Sequence, residues 1–299
     1  MIDKKEIYDV AIIGTGPAGF SAAIYASRYK LKTIIFGKSA GGNMMWTPLI
    51  ENYPGFEKIS GVELAKKMEK QVEKLGVPIL KEEVKSVCKN ENLFGIQTEK
   101  QAYFAKTIII AWGTQKRKLN VPNEDEYIGK GIAYCATCDA PLFKNKDVAI
   151  VGGGNSAAVA AKVLREHVKK IYMIYLDLIM DPVDIELLKK DKKIEFIQDQ
   201  VTEIKGNGFV ESAILKSGKK IDVSGIFVEI GDLPNELPCE KIKIKTDKKG
   251  YILTNNEMET SAKGVFAAGD CISKKLKQII NATGDGAVAA HSAFIFLKN

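Results

Sequence analysis

The stretch YDVAIIGTGPAGFSAAIYASRY, residues 8–29, decides the fold class of this chain. Residues 10–13 form an apolar run typical of a buried strand, and a turn with the pattern GxGxxG follows. Gly14 permits the tight turn, Gly16 lets main-chain N–H groups approach a pyrophosphate, and Gly19 lets helix and strand pack closely. Because the pattern joins a strand to an Ala-rich helix, it predicts a dinucleotide-binding unit.

A second unit of the same kind lies in the middle of the chain, in KDVAIVGGGNSAAVAAKVL, residues 146–164. Residues 148–151 are predicted as its strand, 152–154 as its turn and 157–164 as its helix. The next strand is predicted at 171–175. The sequence therefore predicts an α/β protein with two dinucleotide-binding, Rossmann-like domains, each of three layers.

Two cysteines stand three positions apart in IAYCATCDAP, residues 132–141. Thiols at the spacing of Cys135 and Cys138 can close a disulfide and open it again. A zinc site needs four ligands, and the chain has no second CxxC and only two histidines, which lie far apart. The pattern therefore predicts a catalytic redox pair and no metal site.

Composition narrows the class of protein further. The 299 residues are 45% apolar and 27% charged, as in a globular protein with a substantial core. The start of the chain lacks a secretory apolar segment and no apolar run is long enough for a bilayer, so we expect a cytoplasmic protein that does not enter membranes. The net charge of +7 comes with few aromatics among the basic runs, which does not favour nucleic-acid binding.

Seven motifs together carry a family resemblance: GTGPAG, GGN, ENYPG, CATCD, GGGNSA, FAAGD and KQIINATGDGAVAA, in this order. With them the chain resembles the low-molecular-weight thioredoxin reductase family of flavoproteins, and in particular its ferredoxin-linked, pyridine-nucleotide-independent members. The resemblance implies a discontinuous FAD-binding domain, residues 1–115 and 232–299. A redox-disulfide domain with a degenerate pyridine-nucleotide-type fold, residues 116–231, would be inserted between hinges at 113–118 and 230–235. Family members are usually homodimers.

The resemblance also implies which residues bind FAD. The glycine turn would hold the pyrophosphate, Asp270 the ribityl chain, and the start of the last helix the far edge of the flavin. Trp112 departs from the family pattern, and we favour a filling role at the domain junction over a contact with FAD. The matching positions are Gly14, Thr15, Gly16, Pro17, Ala18, Gly37, Lys38, Gly41, Gly42, Asn43, Asn52, Val84, Ala111, Gly113, Asp270, Lys277, Gln278 and Ile279.

By the same resemblance, Cys138 would face the flavin and Cys135 would exchange with a protein disulfide. Thiol–disulfide exchange proceeds by thiolate attack, so a nearby group must accept and donate the thiol protons. Asp139 is the candidate, and its alternative role is to cap the turn that follows. The acceptor would be thioredoxin or a thioredoxin-like protein.

The electron donor is where the sequence departs from the family. NADPH-using members follow the second glycine turn with a His-Arg-Arg cluster and a further arginine, which clamp the 2′-phosphate. Here Tyr175, Leu176 and Asp177 occupy the cluster's positions, and Met180 and Asp181 surround the place of the later arginine. A doubly charged phosphate would meet carboxylates there, so NADPH is not expected.

Other donors stay open at this stage. We favour reduced ferredoxin, which would pass electrons directly to FAD and would find a basic surface on the FAD domain. NADH, with Asp177 on its ribose, is the alternative, and a deazaflavin is conceivable. A non-enzymatic FAD-binding redox regulator is a further alternative, although the intact CATCD motif argues against it. The candidate docking charges for ferredoxin are Arg28, Lys30, Lys32, Lys274, Lys275 and Lys277.

Overall fold

A computed structural model describes residues 6–46, 50, 52–90, 92–235 and 242–299, apart from the side chains of Trp46, Thr137 and Cys138. The chain forms two compact units. Unit 1 comprises Met1–Gln115 and Leu233–Asn299, and unit 2 comprises Lys116–Asp232. Within the described ranges, the helices are too short or too polar to traverse a lipid bilayer.

Strands and helices alternate along most of the chain. The strands are β1 Ile7–Ile13, β2 Thr33–Phe36, β3 Ile79–Leu80, β4 Val84–Asn90, β5 Leu93–Thr98, β6 Ala102–Ile110, β7 Thr114–Lys116, β8 Ile132–Ala133, β9 Asp147–Val151, β10 Lys170–Tyr175, β11 Ile194–Gln198, β12 Val201–Gly206, β13 Val210–Leu215, β14 Lys220–Asp222, β15 Gly225–Val228, β16 Asp232–Pro234 and β17 Val265–Ala267. The α-helices are α1 Pro17–Arg28, α2 Gly61–Lys74, α3 Glu124–Tyr127, α4 Ala136–Asp139, α5 Asn155–Leu164, α6 Pro182–Lys189 and α7 Ile279–Lys298.

Unit 1 is built on a seven-stranded sheet in the order β3-β2-β1-β6-β5-β4, with β17 also paired to β6. Strands β3, β2, β1, β6 and β17 are parallel, whereas β4 and β5 form an antiparallel extension. Helices α1 and α7 pack closely because their contact face consists of small residues. A Cβ atom on Gly286 would lie 2.1 Å from the carbonyl oxygen of Ala18, so only glycine permits this approach.

Unit 2 repeats the dinucleotide-type arrangement with a parallel sheet in the order β11-β10-β9-β15-β8. A separate antiparallel sheet, β12-β13-β14, covers part of it with Ala213, Leu215 and Ile221 in the shared core. Both glycine turns predicted from the sequence follow a strand that has parallel neighbours on both sides, β1 in unit 1 and β9 in unit 2. The α/β fold class with two Rossmann-like units is therefore confirmed.

The two segments that connect the units lie side by side. Strands β7 and β16 form a two-stranded sheet, and Lys116 Nζ lies 3.2 Å from Asp232 Oδ1. The main-chain N–H of Arg117 donates to the carbonyl of Gly231 at 3.1 Å. Both predicted hinge segments thus contain extended, paired backbone.

Candidate active site

Unit 1 contains a cavity of about 1090 Å³, at the upper end of the range for ligand pockets. It lies at the carboxyl ends of β1 and β6, where α1 begins. Nearly all the residues that the sequence assigns to FAD line it, although they come from segments far apart in the chain. These are Gly14, Thr15, Gly16, Pro17, Ala18, Gly37, Lys38, Gly42, Asn43, Asn52, Val84, Ala111, Gly113, Asp270, Lys277, Gln278 and Ile279.

Gly41 is the exception, because it does not line the cavity. Its φ of 101° lies in the left-handed region, and a Cβ atom would lie 2.7 Å from the Cβ of Ala65. In the structure it is a turn residue packed against α2. Trp112, for which the sequence favoured a filling role at the domain junction, contributes to the wall of the cavity.

The glycine turn at the start of α1 forms one wall of the cavity. Gly14 has a φ of 123°, and a Cβ atom there would lie 2.1 Å from the carbonyl oxygen of Ala111. Gly16 has extended backbone and open space beside its Cα atom. Pro17 occupies the first helical turn, where its missing N–H is not needed. The open side of Gly16 at a helix N-terminus is suited to an anionic pyrophosphate.

Next to the turn, the end of β2 is shaped to exclude a side chain. A Cβ atom on Gly37 would lie 2.2 Å from Thr15 Oγ1, which itself donates to the carbonyl of Ser39 at 2.7 Å. An acidic residue for a ribose therefore does not fit at Gly37. Glu82 and Glu83 line this part of the cavity instead, and the sequence analysis missed them. No motif signals them, since their proximity to β2 depends on the β2–β3 pairing.

The opposite part of the cavity is held by contacts between distant segments. Asn52 Nδ2 donates to Gln278 Oε1 at 3.0 Å, and Asn43 Nδ2 donates to the carbonyl of Thr114 at 3.1 Å. These bonds hold Asn52 against the residue that precedes α7 and Asn43 against the first residue of β7. Polar side chains from three parts of unit 1 thus converge on one ligand volume.

Asp270 lies on a single helical turn, Gly269–Cys271. Strand β17 ends three residues before it, at Ala267, and Gly269 turns the chain with a φ of 82°. The N–H of Gly269 donates to Asp285 Oδ2 at 3.1 Å, and Lys274 pairs with the same carboxylate. Asp285 therefore positions the turn that presents Asp270 to the cavity, a role that the sequence analysis missed.

Two of the expected docking lysines are not available to a partner. Lys274 is largely buried in its ion pair with Asp285, and Lys277 Nζ is buried over the ring of Tyr251. Only Lys275 of that cluster is exposed. In the first cluster Arg28 and Lys30 are exposed and Lys32 pairs with Glu6 at 2.9 Å.

The redox centre predicted for unit 2 is described only in part. Cys135 is disulfide-bonded and directly precedes α4, while the side chain of Cys138 lies outside the described atoms. The N–H of Asp139 donates to the carbonyl of Cys135 at 3.1 Å, which closes one turn between them. The Asp139 side chain makes no capping hydrogen bond, and burial raises its pKa. A half-buried carboxyl one turn from a redox cysteine is suited to proton transfer.

The second glycine turn, in unit 2, is covered by the loop that follows β10. The N–H of Ile179 donates to the carbonyl of Gly153 at 2.8 Å, and a Cβ atom on Gly153 would lie 2.0 Å from the carbonyl oxygen of Asp177. The N–H of Asp181 donates to Asn155 Oδ1 at 2.9 Å. Leu176 and Ile179 are 61% and 77% exposed, so this surface is apolar and acidic.

Comparison with known proteins agrees with this arrangement. The family model for pyridine nucleotide-disulphide oxidoreductases matches residues 8–286. A thioredoxin reductase from Bacillus subtilis is 38% identical over 97% of this chain and 95% of its own length. The crystal structure of Lactococcus lactis thioredoxin reductase superposes with a TM-score of 0.87 at 37% identity, over 97% of this chain and 99% of its own. A ferredoxin-flavin thioredoxin reductase from Clostridium acetobutylicum gives 0.56 at 35% identity, over 98% and 99%.

The fold and the cavity define a flavin-dependent disulfide oxidoreductase. The chain belongs to the pyridine nucleotide-disulphide oxidoreductase family and, within it, to the thioredoxin reductases. Its cofactor is FAD. The cavity fits this group, because the glycine turn, the exclusion of a side chain at Gly37 and the converging polar groups together suit a dinucleotide.

Proposed function

We propose that this protein reduces the disulfide of thioredoxin or a thioredoxin-like protein with electrons that pass from FAD through the Cys135–Cys138 disulfide. The observation that carries the proposal is the pairing, in one chain, of the FAD cavity in unit 1 with the disulfide-bonded Cys135 beside the half-buried Asp139 in unit 2. Gly14 to Ala18 would hold the pyrophosphate and Asp270 the ribityl chain. We place the protein in the cytoplasm, because this compartment is reducing and keeps protein thiols available for exchange.

Bound FAD, once reduced by the donor, would supply two electrons to the disulfide. Those electrons cleave the S–S bond, and one proton is needed to leave one thiol and one thiolate. Asp139 is the proton donor in this step, because its burial keeps the carboxyl protonated to higher pH than an exposed aspartate. The Cys135 thiolate then attacks the acceptor's disulfide, and Cys138 releases the reduced acceptor by closing the internal disulfide again.

We infer further that reduced ferredoxin, and not NADPH, is the electron donor that reduces the flavin. In support, no cation stands at Tyr175, Leu176 or Asp177 to hold a 2′-phosphate. The loop after β10 also folds onto the glycine turn, where Ile179 bonds Gly153. The Clostridium acetobutylicum relative is named a ferredoxin-flavin enzyme. NADH is the alternative donor, since Asp177 is exposed and carries the carboxylate that a ribose would need.

Anaerobic reduction of the FAD-loaded protein by each donor tests this function. Reduced ferredoxin is expected to bleach the flavin rapidly, and NADPH and NADH are expected to do so slowly or not at all. The ferredoxin rate should fall with rising salt, because an acidic partner would dock near the exposed Arg28 and Lys30. Arg28→Glu with Lys30→Glu should slow reduction by ferredoxin but not by dithionite. Saturable reduction by NADH that is lost in Asp177→Ala would instead establish NADH as the donor.

We also propose a homodimer that forms through the outward face of α7. This face presents Ile280, Gly284, Val288, His291 and Ile295 to solvent, and Lys298 stands at its end. A mainly apolar stripe on a 20-residue helix is typical of a subunit contact. Val288→Glu is expected to shift the protein to a monomer in size-exclusion chromatography with light scattering, whereas Val183→Glu, at an exposed valine on α6, should leave the dimer intact.

A further inference from the structure

Glu229 occupies an unusual place in the parallel sheet of unit 2. It directly follows β15, and its N–H donates to the carbonyl of Val151 at the end of β9, at 2.8 Å. Strand β10, the next strand in the chain, pairs with one edge of β9, and β15 pairs with the other edge of β9. The carboxyl ends of β9 and β15 therefore flank the point at which the strand order reverses. In sheets of this kind, dinucleotides bind at that point with the pyrophosphate on the glycine turn.

The Glu229 residue lies directly against that glycine turn. A Cβ atom on Gly152 would lie 2.1 Å from the Glu229 carbonyl oxygen and 3.3 Å from its Cβ atom. Ser156, in the first turn of α5, donates its hydroxyl to the Glu229 carbonyl oxygen at 3.3 Å and also hydrogen-bonds the carboxyl group. The chain's own acid thus lies at the helix N-terminus, where the phosphates of a nucleotide would be attracted.

The groups around Glu229 do not neutralise it. Lys116 is the cation that acts on it, but Lys116 Nζ is paired with Asp232 Oδ1 at 3.2 Å. Asp232 itself opposes ionisation of Glu229, and the Asp177 main chain lies over Gly153 on the other side of the turn. Burial raises the pKa of Glu229 to about 7, while Lys116 and Ser156 lower it. The carboxyl therefore changes charge near neutral pH.

We propose that Glu229 is a specificity-determining residue that excludes pyridine nucleotides from unit 2, because its carboxylate lies where a dinucleotide pyrophosphate would approach the turn. The inference rests on the proposed function, in which the donor is not a pyridine nucleotide. In this view, pyridine nucleotides are excluded by the Glu229 side chain as well as by the absence of the arginines. A carboxylate beside a pyrophosphate is a like-charge contact, and such contacts weaken binding strongly.

Titration of the FAD-loaded protein with NAD⁺ tests the proposal without electron transfer. Isothermal titration calorimetry at pH 8.5 should show NAD⁺ binding to Glu229→Gln at least about tenfold more tightly than to the wild type. Glu203→Gln is the matched control, since Glu203 is an exposed acid on β12, in the other sheet of unit 2. It is expected to bind NAD⁺ as the wild type does.

The pH dependence of NAD⁺ binding provides a second measurement. Wild-type affinity for NAD⁺ should rise about tenfold as pH falls from 8.5 to 6, because Glu229 loses its negative charge, and Glu229→Gln should show no such rise. Equal affinities in wild type and variant, with no dependence on pH, would overturn the inference while leaving a ferredoxin donor possible. Rapid flavin reduction of the wild type by NADH or NADPH would instead overturn the proposed donor.

Discussion

The Nζ atom of Lys277 lies 3.2 Å from the centre of the Tyr251 ring, at the wall of the FAD cavity. This atom is buried and has no hydrogen-bond partner among the described protein atoms. The ring face stabilises the ammonium group by a cation–π interaction, but it leaves the three N–H donors unused. A cation held in this way is ready to donate to an acceptor on the cofactor.

We therefore expect Lys277→Met to weaken FAD binding about thirtyfold, since a hydrogen bond to a charged group contributes about 2 kcal/mol. The measurement is the equilibrium dissociation constant of FAD, from flavin fluorescence during reconstitution of the apoprotein. Lys275→Met is the control, because the Lys275 side chain is exposed two residues away. Equal FAD affinity in the Lys277 and Lys275 variants would show that Lys277 only packs on Tyr251.

Two glycines in the first turn should respond differently to substitution. Gly16→Val is expected to yield a folded but colourless protein, because space beside Gly16 is open and its backbone is extended. Gly14→Ala is expected to destabilise the fold itself, since φ is 123° and the added atom would overlap the Ala111 carbonyl. Circular dichroism with the flavin absorbance separates the two effects. Retention of FAD by Gly16→Val would argue against pyrophosphate binding at this turn.

Removal of Cys135 should separate reduction of the flavin from reduction of thioredoxin. Cys135→Ser is expected to leave reduction of the flavin by its donor unchanged and to abolish reduction of thioredoxin. Cys88→Ser, which changes a cysteine on β4 in unit 1, should retain both activities. Stopped-flow absorbance and an insulin-coupled thioredoxin assay measure the two steps. Wild-type turnover in Cys135→Ser would place the exchange thiol elsewhere.

The rate of electron transfer from flavin to disulfide should depend on the protonation of Asp139. The protonated form is the donor, so the rate is expected to fall as pH rises through the pKa of Asp139. Because burial raises that pKa, the fall should come at higher pH than for an exposed aspartate. Asp139→Asn should lower the rate by about 10² and remove this pH dependence.

Single-turnover reoxidation of the pre-reduced flavin across pH measures this step. Asp125→Asn is a matched control, because Asp125 on α3 is an exposed acid that pairs with Lys118. An unchanged pH profile in Asp139→Asn would mean that another group, or water, supplies the proton.

The local motifs were sufficient to predict the fold class and most of the cavity wall. Gly14, Gly16 and Gly19 stand in one short segment, and their roles follow from backbone sterics that do not depend on the rest of the chain. The same holds for the turn at 152–154. Asp270 was assigned through the resemblance of FAAGD to the family motif, and the structure places it on a helical turn.

By itself, then, the sequence determined the two glycine turns, the cysteine pair and the lack of arginines at positions 175–177, because each is a property of contiguous residues. Only the tertiary structure decided which distant groups meet. Glu229 reaches the turn at Gly152 through the pairing of β9 with β15, and Asp285 reaches Gly269 through the docking of α7. Such contacts depend on strand order and helix packing, which no short motif encodes.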